Sequence, residues 1–453
     1  MVRGVCVGLA AIATTGCASS VRGGVSGHET ETSSSTVAPA DWWRTYAGTD
    51  ATARDSAIDV AVDARGRATV LASLAQRAFG VLAYNADGTL AWASTYHDPS
   101  DQADLATKVA IDASGNVYAA GSWQRVDTPL GGFLVVSFDA AGALRWSART
   151  DGGGALSDLS VDGAGHVVVT GGGSDGMHSL ARTVAYDGGG HVLWQASELG
   201  PLGLGAMGRH VVLDADANAY VAGESSDGTY NQVTLFAYDV RGASRWATRG
   251  GDDPEHVPQT TAQALALDAA GEPHVAIAQA DRTAQDAEPT VELAVRKYDV
   301  AGRTAWTARV NQAARNIATA IAVDAEGRVT VTGFTGSPTP DSYLTAQFDA
   351  AGQLRWMDRF GWYGPGEHQA CALTLDGAGD AYVTGTAYRA DGVASFGSIA
   401  YDPEGGVLFR ELDGDAEDRT AAALALDRSG ALYVVGSAHL APRGVVGVLR
   451  SSR

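Results

Sequence analysis

Residues 109–122 read "VAIDASGNVYAAGS". Apolar and small residues alternate up to Asp112, the next three residues reach Gly115, and a second alternation runs on to Ser122. Period-two alternation marks a half-buried strand. In D-x-x-G the Asp side chain accepts backbone N–H groups, and the Gly tolerates the left-handed conformation that closes a tight hairpin. The stretch therefore predicts two short antiparallel strands and the turn between them. Its Asp recurs at Asp63, Asp112, Asp162, Asp214, Asp268, Asp324, Asp376 and Asp427, at spacings of 49 to 56 residues. Ala217 alone replaces the turn Gly.

A second turn of the same kind follows each copy, at Asn85, Asp139, Asp187, Asp239, Asp299, Asp349 and Asp402. Directly after it comes a strand with a bulky aromatic residue: Trp92, Trp146, Trp194, Trp246, Trp306, Trp356 or Phe409. Each unit is thus four short strands, A to D, and units of about fifty residues with four strands each are blades of a β-propeller. The A strand occurs eight times, and so does the aromatic strand if "WWRTYAG" at 42–48 is included. The last unit, 419–450, has strands A, B and C only, so the N-terminal strand is expected to supply its D strand and remove the exposed edges. The predicted fold is all-β, an eight-bladed propeller over residues 41–453, closed by one N-terminal strand.

The repeats resemble the SBBP-type β-propeller repeats of bacterial exported proteins. The match lies in "VAIDASGNVYAAG", "FLVVSFDAAGALRW" and their copies, over about residues 42–450. The resemblance implies architecture only, since no common activity or site residues come with that family. The eight-bladed quinoprotein dehydrogenases also place Asp, Gly and Trp in this order, but the cofactor site they imply is usually built beside adjacent cysteines. Here Cys371 is the only cysteine after Cys17, so no cofactor and no disulfide are expected.

The chain carries a formal net charge of −20, which argues against nucleic acid and anionic lipid surfaces as partners. Its start, "MVRGVCVGLAAIATTGCASS", has one Arg, a short apolar run and small residues leading to Cys17. That is a signal peptide rather than a membrane span. It resembles a bacterial lipoprotein signal ending at a lipidated Cys17, with Thr14 where an aliphatic residue is usual. No Asp follows Cys17; by the resemblance that implies export to the outer membrane or cell surface, held by acyl chains alone, and the alternative is a secreted or periplasmic protein with Cys17 discarded. Residues 18–40 are rich in Ser, Thr and Gly and read as a disordered tether.

Function is expected on one face. The A-to-B and C-to-D turns share a face and are nearly uniform, whereas the B-to-C and D-to-A loops share the other and vary in length. Loops on a rigid scaffold are where binding residues concentrate. Eight of the ten tryptophans belong to the D-strand series; Trp123 and Trp362 read as residues in loops of the variable face. Trp362 and Tyr363 stand near Glu367 and His368, and exposed aromatics beside carboxylates suit sugar or peptide recognition. These five residues are the candidate binding site; the alternative is that both Trp rings cap the ends of neighbouring blades. The acidic runs 97–104, 250–256 and 413–419 lack the spacing of a calcium loop and read as solvated charge; no metal site is expected.

Inside the ring, the residue four before each repeat Asp is Asp59, Lys108, Asp158 or His210 in the first four blades and Ala in the other four. With Arg209, these predict a polar network between blades or along half of the central channel. The functional expectation is a monomeric binding or interaction scaffold for a glycan, peptide or envelope protein. The alternative is a carbohydrate-active hydrolase or lyase using Asp253, Glu255 or Glu367, and a purely architectural envelope role is a third.

Overall fold

A computed structural model describes residues 41–48, 55–74, 78–98, 103–125, 131–250, 259–281, 290–310, 315–336, 342–362, 364–413, 418–440 and 443–451. The described residues form thirty-two strands and no helix. Eight blades of four antiparallel strands follow one another in chain order, and a single parallel bridge, Val291 to Arg315, links the fifth and sixth. The inner strands are Ser56–Val62, Ala103–Ile111, Leu156–Val161, Ala206–Leu213, Gln259–Leu267, Arg315–Val323, Gln369–Leu375 and Arg419–Leu426. Each packs against the next, and the last against the first, so they ring the axis.

The eighth blade is built as the repeat count requires. Strand Trp42–Tyr46 pairs antiparallel with Arg443–Ser451, in register from Trp42 opposite Arg450 to Tyr46 opposite Val446. Its two tryptophans reach both neighbours. The Trp42 ring lies 5.8 Å from that of Tyr84 in blade 1, and the Trp43 ring lies 5.8 Å from that of Phe396 in blade 7.

Blade-to-blade packing on the perimeter repeats one device. The outer-strand Trp of a blade donates its Nε1–H to a carbonyl in the C-to-D turn of the next: Trp92 to Ala140 at 3.2 Å, Trp146 to Gly188 at 3.0 Å, Trp194 to Val240 at 3.2 Å. Trp246, Trp306 and Trp356 do the same to Val300, Ala350 and Pro403. The ring lies over the turn glycine. A Cβ on Gly142 would fall 2.5 Å from the Trp92 ring, and φ there is +86°, so Gly serves the turn and the docking together. Each ring also contributes about 2–3 kcal/mol of apolar burial.

The turn carboxylates are consumed locally. Asp63 Oδ1 accepts the N–H groups of Arg65 and Arg67 at 2.9 and 3.0 Å, while Oδ2 meets the Arg67 guanidinium at 3.0 Å. Asn116, His166 and Asn218 take the place of Arg67 in blades 2 to 4. One face of the ring is thus paved with self-satisfied turns.

Candidate functional site

Every inner strand carries a β-bulge at the same place, three residues or so into the strand from its loop end. The extra residues are Ile58, Thr107, Ser157, Arg209, Gln263, Thr319, Cys371 and Ala422. All eight are half-buried, and the residue after each is the position that is ionisable in blades 1 to 4 and Ala in blades 5 to 8. A bulge re-aims the side chain that follows it. In blades 1 to 4 it turns that side chain toward the joint with a neighbouring blade.

At the joint of blades 1 and 2, the buried Asp59 carboxylate accepts the Val109 N–H at 3.0 Å and lies 3.6 Å from Lys108 Nζ, itself buried. At the joint of blades 3 and 4, Asp158 accepts the Val211 N–H at 3.0 Å, and His210 Nδ1 lies 3.9 Å away. Burial pushes both carboxyls up, Asp158 to about 6, against the opposing pull of the Lys108 charge. Burial, with the Lys108 and Arg209 charges, holds His210 down at about 3. The Asp158–His210 contact is therefore polar rather than ionic at neutral pH.

Arg209 turns to a partner that its strand pattern did not announce. Its Nε donates to both oxygens of the buried Glu224, at 2.6 and 2.7 Å, and Glu224 also accepts the Ala262 N–H of blade 5 at 3.2 Å. Neutral groups serve at two further joints: Ser122 Oγ accepts from Leu156 N–H at 2.9 Å, and Thr319 Oγ1 donates to the Ala370 carbonyl at 2.9 Å. The five network residues thus line four adjacent blades: Asp59, Lys108, Asp158 and His210 meet across joints, while Arg209 pairs within blade 4 with Glu224, which makes the bond to blade 5.

The expected aromatic site is corrected. Trp123 belongs to strand Val117–Gln124 and is 5 % exposed, with its Nε1–H on the Thr150 carbonyl at 3.3 Å and the Arg149 guanidinium over its ring. Trp362 is 7 % exposed, edge-on to Phe360 and Tyr343 at 4.9 and 5.8 Å. Both rings cap the ends of blades, because a large apolar ring at a blade end is more stable covered than wet. His368 is also buried, not a ligand: its Nδ1 accepts the Tyr388 N–H at 3.1 Å, which leaves Nε2–H to donate to the Gly364 carbonyl at 3.2 Å. Glu367 is exposed and accepts from Gln369 Nε2 at 2.9 Å. Tyr363, Asp253, Glu255 and Cys17 lie outside the described residues.

His368 is one of a second series. The residue eight before the repeat Asp is Asp55, Asp104, Thr260, Asn316, His368 or Arg419 in six of the blades, and all six are buried. Each holds a loop. Asp55 accepts the Gly48 N–H at 2.6 Å, Asp104 accepts the Asp98 N–H at 3.1 Å, and Thr260 accepts the Val233 N–H at 2.8 Å. Arg419 pairs with Asp413 and lies 3.9 Å from the Trp43 ring centroid, tying the last joint to the N-terminal strand. The offset from the repeat Asp was the available signal.

Exposed apolar side chains on the loop face cluster elsewhere. Met177 is 86 % exposed in the B-to-C loop of blade 3; Leu202 and Leu204 are 57 % and 36 % exposed in the loop that joins blade 3 to blade 4. The Gly205 carbonyl accepts the Ser226 N–H at 2.8 Å, which seats that joining loop beside the B-to-C loop of blade 4. Among the described residues no group of three or more His, Cys, Asp or Glu side chains is placed to hold a metal ion.

No protein-family model matches the chain, and no curated protein matches it. Solved structures that are similar in outline include the β-propeller domain of the Trilobed protease from Pyrococcus furiosus, 9 % identical, with TM-score 0.45 over 78 % of this chain and 96 % of that one. A polysaccharide lyase of family 25, an ulvan lyase, is 12 % identical, with TM-score 0.44 over 81 % and 98 %. Drosophila Plexin A, in complex with Semaphorin 1b, is 9 % identical, with TM-score 0.45 over 76 % and 84 %. Likeness at this level says nothing about activity.

Proposed function

We propose that this propeller is an interaction scaffold of the bacterial cell envelope, tethered through a lipidated Cys17 and residues 18–40, that docks a protein partner on its loop face over blades 3 and 4. The repeat resembles the SBBP type of exported proteins, and the lipoprotein-like start agrees with that setting. The observation that carries the partner class is the exposure of Met177, Leu202 and Leu204 on adjoining loops while Trp123 and Trp362 are buried. Sugars are gripped by open aromatic faces. Flexible aliphatic side chains standing in water suit a protein surface, and Met adapts well to an irregular one.

The test is site-specific photo-crosslinking in intact cells from position 177, with and without Leu204→Asp. A discrete adduct that disappears in the Leu204→Asp chain, at unchanged abundance and thermal stability, supports the reading. No adduct from position 177, or one indifferent to Leu204→Asp, overturns it.

A further inference from the structure

We infer that the turn face of the ring rests on a lipid bilayer, with a circle of aliphatic side chains at its rim entering the interfacial layer. The inference rests on the tether proposed above. The residue two before the outer-strand aromatic is Leu90, Leu144, Val192, Leu354 or Val407 in five blades, at 46, 55, 53, 52 and 43 % exposure. Each follows the C-to-D turn directly, which puts it at the rim of the turn face. Equivalent positions of a rotationally repeated unit lie on one circle and hence in one plane.

Blades 4 and 5 depart from this pattern in a telling way. Their strand position is Ser244 or Thr304, and there an aliphatic residue appears one step inside the turn, as Val240 at 46 % and Val300 at 49 % exposure. The other blades hold Ala, Gly or Pro at that turn position. Every blade with a C-to-D turn therefore presents an open aliphatic side chain in that turn or directly after it. The propeller does not need them: the docked Trp uses only the turn carbonyl and the turn Gly. Singly scattered exposed aliphatics are ordinary, but five on one circle, with two more in the turns of the blades that lack one, make a surface.

The chain upstream arrives on this same face. Trp42 Nε1 donates to the Ala86 carbonyl at 2.9 Å and Arg44 Nε to the Gly88 carbonyl at 2.9 Å, both in the C-to-D turn of blade 1. Residue 41 thus lies at the rim, and Cys17 is 24 residues before it. That length reaches on the order of 80 Å at most. A tether this short gives the ring an effective concentration in the millimolar range at the surface. Side chains that would bind weakly on their own then suffice. The net charge of −20 makes the fitting surface a zwitterionic bilayer rather than an anionic one.

The experiment uses the lipidated full chain carrying Cys371→Ala, with a polarity-sensitive dye on Leu144→Cys or on Met177→Cys. It is reconstituted into vesicles of phosphatidylcholine and phosphatidylethanolamine. The expected result is a blue shift and a several-fold loss of iodide quenching at position 144, no change at 177, and a smaller shift once phosphatidylglycerol is added. A chain retained on the vesicles whose position 144 stays as open to iodide as position 177 overturns the inference and leaves the tether standing. A chain that does not stay with the vesicles overturns both. A shift at 144 that appears without vesicles and grows with protein concentration assigns the rim to a second copy of the chain instead.

Discussion

Trp42 Nε1 donates to the carbonyl of Ala86 at 2.9 Å, which joins the strand that completes blade 8 to the second turn of blade 1. The same bond recurs around the ring from Trp92, Trp146, Trp194, Trp246, Trp306 and Trp356, and it explains the one substitution in the series. Phe409 belongs to blade 7, and the next blade has no C-to-D turn, because its outer strand arrives from the N-terminus. An indole N–H at 409 would have no turn carbonyl to meet. Trp42→Phe keeps most of the packing and removes the bond, so it is expected to cost about 1 kcal/mol. Phe409→Trp gains nothing comparable. Denaturant midpoints of the two variants decide this, and a stabilising Phe409→Trp would contradict it.

Ala217 is the only described non-glycine residue with positive φ, at +60°, in the turn position that is Gly in the other seven copies. The left-handed conformation costs an L-residue roughly 1–2 kcal/mol, part of which Gly gives back through the entropy of the unfolded chain. Ala217→Gly is therefore expected to stabilise the protein by about 0.5–1 kcal/mol. Equilibrium unfolding measures it directly; a loss of stability would mean that the turn holds Ala217 for its methyl group.

Much of the architecture was readable because it is periodic. Asp63 to Asp427 and the following aromatic series count blades without any knowledge of packing, and the spare "WWRTYAG" betrays the closure. The site was less readable, for reasons of geometry. The bulges at residues such as Ile58 and Arg209 flip strand parity, and no alternation of apolar residues announces where a backbone takes in an extra residue. Trp123 reads as a loop residue because the alternation weakens after Gly121, yet the strand runs to Gln124 and buries it. His368 looks like a site residue beside Glu367, whereas its place eight before Asp376 aligns it with Asp55 and Asp104 as a loop anchor.

Burial of Trp362 changes what its removal does. Trp362→Ala empties a space lined by Phe360 and Tyr343 and is expected to cost about 3–5 kcal/mol, with Trp123→Ala in the same range. Glycan binding is not expected to be the property lost. Thermal unfolding beside a glycan panel separates the two: unchanged stability with lost binding would restore these rings to a binding face.

Lys108 lies between two buried acids, near Asp59 at 3.6 Å and lowering the pKa of Asp158 through its charge. Lys108→Met leaves both carboxyls without that cation, a loss of about 3–5 kcal/mol at neutral pH. The loss is expected to shrink at pH 4, where the carboxyls can take up protons instead. Unfolding at the two pH values checks this; an equal loss at both would point to packing of the lysine stem rather than its charge.

Asp158 itself makes the sign of the pH dependence testable. Burial raises its pKa from 3.8 to about 6, so the folded state binds its proton more tightly than the unfolded chain does. Its contribution to stability is complete below about pH 4 and is lost as the pH rises through about 6. A shift of this size is worth about 3 kcal/mol. His210 runs the other way: held down at about 3, its contribution is present above 6.5 and is lost on acidification. Comparing the native chain with Asp158→Asn at each pH cancels the His210 part to first order. Asn can still accept the Val211 N–H with its carbonyl oxygen, so the joint survives. The stability of Asp158→Asn relative to the native chain is expected to rise by up to about 3 kcal/mol between pH 4 and pH 7.5. A difference that stays flat across that range would show that the Asp158 carboxylate is solvated along the channel, and that blades 3 and 4 are not joined through a buried charge.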